Sequence, residues 1–521
     1  MSDSRGGRED FAFIRKPAMS SHYYGRNYTL SGAMMTMVVV TLLFICAGYF
    51  GQQTPLYAPP TPKDYHASLS TDNRELQTTA FDSGGNRVST RSSVEVKLMK
   101  VFKSATSRIR RNMTMWMEEL KMTPLMVSKA FKHPSSTSTS AFSRVIIDAV
   151  MKERPLKMGV AGGSISAGRK IYASFFADTM KSALGVPVEI HNGAIGGTDS
   201  RFGTYCFGAL VNMTELDIVL WEYAVNDYLK GVGPWAQEEF SRTILDLPNS
   251  PQLIYVNFLH GVTMHRNSCE SNEINGSRPL SEHYNVPSIR TADAICNIVK
   301  YGNFTDLVMS RRNGHPSPKY HKMTGVFLVE FFARVLDNLL STLTLKPIED
   351  VKHLYVSSPK ARNLKPIFTK VPILKPKCWT VLGNTRRGLA RRLLTPIDFD
   401  GWKLAVADSE KPNRTDLKRF WESGRANSSI IFPVNVPPLG NLNCTVAISL
   451  WGCPECGSAD VFIDGDRASS VRVSSKYKWK ATTSARVSGN LVAGNHTMTL
   501  IGIGDGNFRI SSIMTSYRTD L

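Results

Sequence analysis

The sequence holds no second CxxC to partner Cys453-Pro-Glu-Cys456. A zinc ribbon, which needs two such pairs, is thereby excluded. There is no zinc-finger spacing and no basic helix running into a zipper, and the basic residues are scattered along the chain. Nucleic acid is therefore not an expected partner. Acidic residues are scarce beside basic ones: 43 Asp and Glu stand against 63 Lys and Arg, a formal charge of +20. Such an excess suits an anionic lipid or an acidic polysaccharide, and it equally describes a plain solvated surface. Composition does not choose among these. With 42% hydrophobic and 20% charged residues in 521, disorder throughout is excluded, and there is room for two or three domains with cores of their own.

One apolar run bears on compartment. Ser31 to Phe50 carries no charged residue and, at about twenty residues, is just long enough to cross a bilayer. Arg5, Arg8, Arg15, Lys16 and Arg26 precede it against only Asp3, Glu9 and Asp10, a positive excess that predicts a cytoplasmic N-terminus. The long polar leader and the lack of a small-x-small cleavage site argue against a removed signal peptide. The expectation is a single-pass type II membrane protein of the Golgi, secretory pathway or cell surface. Residues 1–31 would be its cytoplasmic tail, 32–50 its transmembrane anchor, and all that follows lumenal. Sequons at Asn112, Asn212, Asn275, Asn303, Asn413, Asn427, Asn443 and Asn495 lie beyond the run, as that placement requires. So do Cys206, Cys269, Cys296, Cys378, Cys444, Cys453 and Cys456, an odd set that leaves one free or intermolecular in an oxidising lumen. Cys453 and Cys456 are expected in a local disulfide or in two separate bridges.

Residues 51–150 read as a lumenal stem: proline-rich from Gln52 to Pro62, polar from Thr71 to Ser93, and Ser-Thr repeats at Ser135 to Ser140. Within it, Val94 to Lys132 has the make-up of an amphipathic helix, expected to pack on the following domain rather than on a membrane. From Leu156 the texture alternates. Short apolar runs at Leu156–Ala161, Val186–His191, Leu216–Glu222 and Leu253–Phe258 predict strands, with helices at Ser166–Leu184 and Lys319–Leu340. Apolar strands separated by helices predict a parallel sheet covered on both faces, with ligands at the carboxyl ends of its strands. Residues 346–377, rich in proline and lysine, read as a linker. Beyond them, 378–521 carries β-rich runs at Ser429–Val434, Thr445–Leu450, Ala459–Ile463, Val471–Val473 and Thr497–Ile503, which predicts a β-sandwich accessory domain.

Four short motifs fall at the strand ends. Gly162-Gly163-Ser164-Ile165-Ser166 follows the first strand and is expected to open the first helix, exposing a serine hydroxyl near helix amides. The same letters describe a helix cap. His191-Asn192-Gly193-Ala194-Ile195-Gly196-Gly197-Thr198 follows the second strand, and such a turn either aims backbone N–H groups or simply reverses the chain. Trp221-Glu222-Tyr223-Ala224-Val225-Asn226-Asp227 ends the third run and offers an amide donor or a turn. Gly314-His315-Pro316-Ser317 precedes the last helix, where proline fixes the turn and frees the imidazole to face the sheet.

The order Ser, Gly, Asn, His over residues 150 to 345 resembles the SGNH (GDSL-like) hydrolase superfamily. It is closest to divergent esterase-like members with GGS-I-S, NGA-x-GG, EYAVND and HPS blocks. The resemblance implies a flavodoxin-like three-layer α/β/α domain over 151–345. Ser164 would be the nucleophile and His315 its general base, with an oxyanion hole from the Ser164 N–H, Gly197 N–H and Asn226 side chain, and no metal or organic cofactor. The chain departs from the pattern at Ala224, where glycine is usual, and at Arg312, where the acid three residues before the histidine is usual. Loss of such an acid costs on the order of 10⁴-fold in other hydrolases, and an arginine there would also disfavour imidazole protonation. Asp306 is the substitute acid of choice, with Asp199, Asp227 or a backbone carbonyl as alternatives. The implied activity is hydrolysis of acyl esters, O-acetyl among them, on a polysaccharide or glycoprotein glycan. The alternatives are O-acyl transfer to a glycan, or a degenerate domain that only binds glycans or a partner. Aromatics Trp379, Trp402, Trp421, Trp451, Tyr477 and Trp479 would stack on sugars or fill the core. Arg386, Arg387, Arg391 and Arg392 would grip anions or face solvent.

Overall fold

The computed structural model describes residues 93–131, 136–259, 277–301, 315–345, 364–369, 376–384, 388–407, 416–438, 444–478, 480–504 and 506–516. Strands β1 (Leu156–Gly162), β2 (Val188–Asn192), β3 (Ile218–Glu222), β4 (Gln252–Asn257) and β5 (Ser288–Arg290) form a parallel sheet in the order β2-β1-β3-β4-β5. This is the flavodoxin-like order, which puts the switch point between β1 and β3. Every residue of β3 is buried, so the strand reads as a continuous apolar run, as a strand covered on both faces should. Ile218 and Leu220 join one core while Val219 and Trp221 join another on the opposite face, the period of two that a pleated strand imposes.

Helices α1 (Ser93–Leu120), α2 (Pro124–Lys129), α3 (Ser136–Met151), α4 (Tyr172–Leu184), α5 (Ser200–Leu210), α6 (Ala224–Lys230), α7 (Pro234–Leu245), α8 (Ser277–Tyr284), α9 (Thr291–Tyr301) and α10 (Pro318–Leu345) surround this sheet. The first core draws on α1, α3, α4 and α10, and the second on α5, α7 and α8. Helix α1 lies in the segment read as stem and packs on α10 and α4. Its Leu98, Phe102, Ala105 and Ile109 are buried at helical spacing, and Arg110 pairs with Glu330 and Asp337 of α10. The helix expected from Ser166 instead begins at Tyr172. The residues after Ser164 are held by neighbouring strand ends: Ser166 N–H donates to Gly163 O, and Asn192 Nδ2 donates to Ser166 O at 2.8 Å.

The rest is antiparallel. Its strands are β6 (Lys377–Thr380), β7 (Gly383–Asn384), β8 (Gly388–Leu389), β9 (Asp398–Asp400), β10 (Trp402–Val406), β11 (Asp416–Leu417), β12 (Arg419–Ser423), β13 (Ser429–Val436), β14 (Cys444–Gly452), β15 (Ser458–Ile463), β16 (Val471–Ser474), β17 (Ala481–Leu491), β18 (Gly494–Ile503) and β19 (Arg509–Ser516). One sheet runs β10-β12-β19-β14-β17 with β6 on β19, a second runs β16-β15-β18-β13-β9, and β11-β7-β8 is a small third. The two large sheets share an apolar core of Ile430, Phe432, Val446, Ile448, Val461 and Leu500 among others, the sandwich arrangement. Helix α5 packs against β6 and β19, and a Cys206–Cys378 disulfide joins α5 to β6. Cys453 and Cys456 are bridged to each other, Cys296 is also in a disulfide, and Cys444 is a buried free thiol.

The expected single-pass type II membrane placement is corrected: no helix among the described residues is long and apolar enough to cross a membrane. The longest, α1 and α10, each carry charged residues through their length, which no hydrocarbon layer tolerates well. The run Ser31–Phe50 itself lies outside the described residues, with the tail before it.

Candidate active site

The carboxyl ends of β1, β2 and β3 converge on Ser164. Its Oγ lies 2.7 Å from Nε2 of His315, across 151 residues of sequence. His315 sits three residues before α10 begins, so a long helix buried in the main core fixes where the imidazole starts. The neighbouring Ser317 Oγ accepts from Tyr320 N–H at 3.1 Å and caps that helix.

Beneath Ser164, the turn is built on a buried acid. Glu222, at the end of β3, accepts from Ser166 Oγ at 3.0 Å, and Ser166 Oγ also meets Tyr172 OH at 2.9 Å. Burial pushes the Glu222 carboxyl up to about 8, against the lowering effect of its Ser166 and Gly163 hydrogen bonds. Gly163 permits a close approach: a Cβ there would overlap Asn226 Nδ2. Asn226 in turn donates to Thr198 O at 2.5 Å, leaving its second amide hydrogen for another acceptor.

The loop after β2 is almost fully satisfied. Gly193 N–H donates to Val160 O, Ala194 to Asn192 Oδ1, Ile195 to Gly162 O, Gly196 to Asp416 Oδ2 and Thr198 to Ile195 O. The Gly197 N–H has no acceptor among the described residues, and neither does that of Ser164. Gly197 has φ +84°, the left-handed region that glycine enters without strain. Ser164, Gly197, Asn226 and His315 are thus brought to one place.

The candidate orienting acids are not all there. Asp306 lies outside the described residues, as does Arg312. Asp199 is engaged elsewhere: it caps α5 by accepting from Arg201 N–H and pairs with Arg201 at 2.9 Å and Lys230 at 3.2 Å. Burial opposes its charge, but Lys230 and Arg201 hold its carboxyl down at about 2. Asp227 accepts from Ser200 N–H at 2.8 Å and Ser200 Oγ at 2.5 Å. Burial first, and the Asp199 charge next, push it up to about 7. Both acids therefore serve the start of α5.

Two further residues carry no motif. His321, on the first turn of α10, stacks on Tyr172 with ring centroids 6.2 Å apart, and burial with nearby His315 holds it down at about 4. Lys230, 7% exposed, donates from Nζ to Gly197 O, Thr482 O and Asp199 Oδ2. A lysine in a helix beside Tyr228 and Leu229 gives no sequence signal of burial. Among the described residues no group of His, Cys, Asp or Glu side chains is placed to hold a metal ion. In the β-sandwich, Trp402 and Trp451 are buried, and Trp379 and Trp421 pack against its core, so these four are structural. Trp479, Arg386 and Arg387 lie outside the described residues.

No family model and no curated protein matches the chain. Among solved structures, a two-domain esterase active on acetylated mannans aligns with a TM-score of 0.51 at 16% identity, over 73% of this chain and 96% of that one. The chain shares the fold of that two-domain esterase. The two-domain esterase co-crystallized with mannopentaose aligns at 0.49 and 16% identity, over 71% of this chain and 94% of that one. A lipase/acylhydrolase from Enterococcus faecalis aligns at 0.28 and 15% identity, over 34% and 95%. The α/β domain here is followed by antiparallel sheets that touch the candidate site itself, through Asp416 and Thr482.

Proposed function

We propose that the chain is a serine esterase acting on acyl esters, O-acetyl esters of a polysaccharide foremost, with Ser164 as nucleophile and His315 as general base. The observation that carries this reading is the 2.7 Å contact between Ser164 Oγ and His315 Nε2, with the Ser164 and Gly197 N–H groups left without acceptors among the described residues. Ser164 Oγ would attack the acyl carbon while His315 Nε2 takes its proton. Negative charge then develops on the carbonyl oxygen, which the Ser164 N–H, the Gly197 N–H and the second hydrogen of Asn226 Nδ2 would receive. His315 would return the proton to the leaving sugar alkoxide, and water would repeat the cycle on the acyl-enzyme to release the acid. Activity of a similarly folded two-domain esterase on acetylated mannans supports the substrate class, as does the +20 charge if the polysaccharide is anionic.

The test is labelling with a fluorophosphonate probe, alongside acetate release from acetylated mannan and acetylated pectin, in the wild type, Ser164→Ala and His315→Ala. The reading expects labelling and acetate release in the wild type and loss of both, by at least about 10³-fold, in either variant. A folded wild type that neither labels nor releases acetate would leave a carbohydrate-binding protein built on a silent SGNH domain.

A further inference from the structure

The Gly196–Gly197 peptide, whose N–H is the proposed oxyanion donor, has both of its neighbouring peptides pinned. On one side the Gly196 N–H donates to Asp416 Oδ2 at 2.9 Å. Asp416 belongs to β11, in the small third sheet of the C-terminal antiparallel region, and its side chain is 1% exposed. On the other side the Gly197 carbonyl accepts from Thr482 N–H at 3.3 Å and from Lys230 Nζ at 2.5 Å. Thr482 lies on β17, in the sandwich. Lys230 spends its three hydrogens on Gly197 O, Thr482 O at 2.6 Å and Asp199 Oδ2 at 3.2 Å, so it ties the SGNH loop, the sandwich and α5 at one atom.

The two pinned peptides flank one at which φ is already set to +84°. With both neighbours held, the peptide between them cannot turn without breaking a buried hydrogen bond, several of them charge-assisted. A Cβ on Gly197 would sit 3.4 Å from Ala481 Cα and Thr482 N, so the sandwich backbone also closes the space into which the loop would relax. We propose that Lys230 and Asp416 are positioning residues that set the direction of the Gly197 N–H, making the C-terminal antiparallel region a structural part of the oxyanion hole. This rests on the esterase reading above. Neither side chain touches the reacting atoms. Each acts through a peptide bond.

The test uses the full chain and compares Lys230→Met, Asp416→Ala and Asp416→Asn with the wild type on an aryl ester and on its thionoester. A thionoester places sulfur, a weaker acceptor, where the oxyanion forms, so the rate ratio of the two reports how well donors are aimed. Lys230→Met and Asp416→Ala are expected to lower kcat about 10- to 100-fold with KM little changed. The ester-to-thionoester ratio should fall with kcat. Asp416→Asn, whose amide oxygen still accepts from Gly196, should restore most of both. Should Lys230→Met not fold, Lys230→Gln, which keeps a donor for the Gly197 carbonyl and loses others, carries the test with the same expected direction. Folded variants with wild-type kcat, or with both rates lowered in an unchanged ratio, overturn the proposal. If the wild type turns over neither ester, the esterase reading has failed, and the brace is judged on amide hydrogen exchange of residues 193–198. Exchange there must quicken in Asp416→Ala, and wild-type rates would overturn it.

Discussion

Ser166 gives its hydroxyl hydrogen to Glu222 at 3.0 Å, so a buried carboxyl holds the turn that presents Ser164. That carboxyl has a folded-state pKa of about 8 against an ordinary 4.5. A raised pKa means the folded state favours the proton. The stabilising contribution is therefore complete below about pH 4.5 and is lost as pH rises towards 8. Thermal unfolding measured at pH 5, 6.5 and 8 should show the wild type losing stability over this window. Glu222→Gln, which keeps an acceptor for Ser166 and cannot ionise, should lose clearly less. Equal slopes in the two proteins would show that Glu222 is not buried with its proton.

Gly163 and Asn226 should behave as one unit. Asn226→Ala removes a proposed oxyanion donor and is expected to cost about 10²–10³ in kcat. Gly163→Ala puts a methyl group where Asn226 Nδ2 now sits, so it should give a loss of similar size. The double variant should be little worse than either single one, because both remove the same group. Steady-state kinetics on an aryl acetate decide this, and additive losses would argue against a shared cause.

The Cys206–Cys378 disulfide closes a loop with a sequence separation of 172. A cross-link over so long a loop restricts the unfolded chain strongly, worth about 4–5 kcal/mol in the chain-entropy view. Replacing both cysteines by serine should lower the unfolding midpoint by several degrees. Reductant should then have little further effect on that transition. An unchanged midpoint would mean that the apolar contacts of Ile195, Phe202, Ala447 and Met514 around the bridge hold the two parts together alone.

Glu238 on α7 accepts from the backbone N–H groups of Ile367, Phe368 and Thr369 at 2.6, 2.8 and 2.7 Å, and from Tyr284 OH at 2.8 Å. These residues fall in the stretch read from sequence as a linker, and here they form a strap fastened to the α/β domain. Glu238→Ala should release it. Amide exchange at Ile367–Thr369 should rise by orders of magnitude, with a stability loss of more than about 3 kcal/mol from donors left without acceptors. Undisturbed exchange would show that packing rather than Glu238 secures the strap.

What the sequence makes legible follows from what burial writes into it. Strands covered on both faces, such as Ile218–Glu222 and Gln252–Asn257, are apolar between their polar ends, and the sheet's strand ends carry the glycine, asparagine and histidine motifs. Strands β17 and β19 escape notice because hydroxyls interrupt their apolar pattern. In β19, Ser511, Ser512, Thr515 and Ser516 are buried, and Ser512 Oγ donates to Thr380 Oγ1 at 2.8 Å. A buried serine with a partner looks, in sequence, like a solvated one. Helices α1 and α10 are both visible as helical stretches, and their pairing is not, since nothing in either sequence names the other. The same holds for the site. Ser164, Gly197, Asn226 and His315 stand in recognisable blocks, whereas Asp416 and Lys230 act through distant backbone and carry no local pattern at all.

The position of Asp416 bears on how such a chain can change over generations. A sugar-binding module hung on a linker can be exchanged for another without cost to its neighbour. Here the acceptor for the Gly196 N–H lies 220 residues downstream, on a strand of the small sheet of the C-terminal region. A recombination that swapped this region would remove that carboxylate together with the backbone amide of Thr482. The two halves are therefore tied to a common line of descent, and drift in one must be answered by the other.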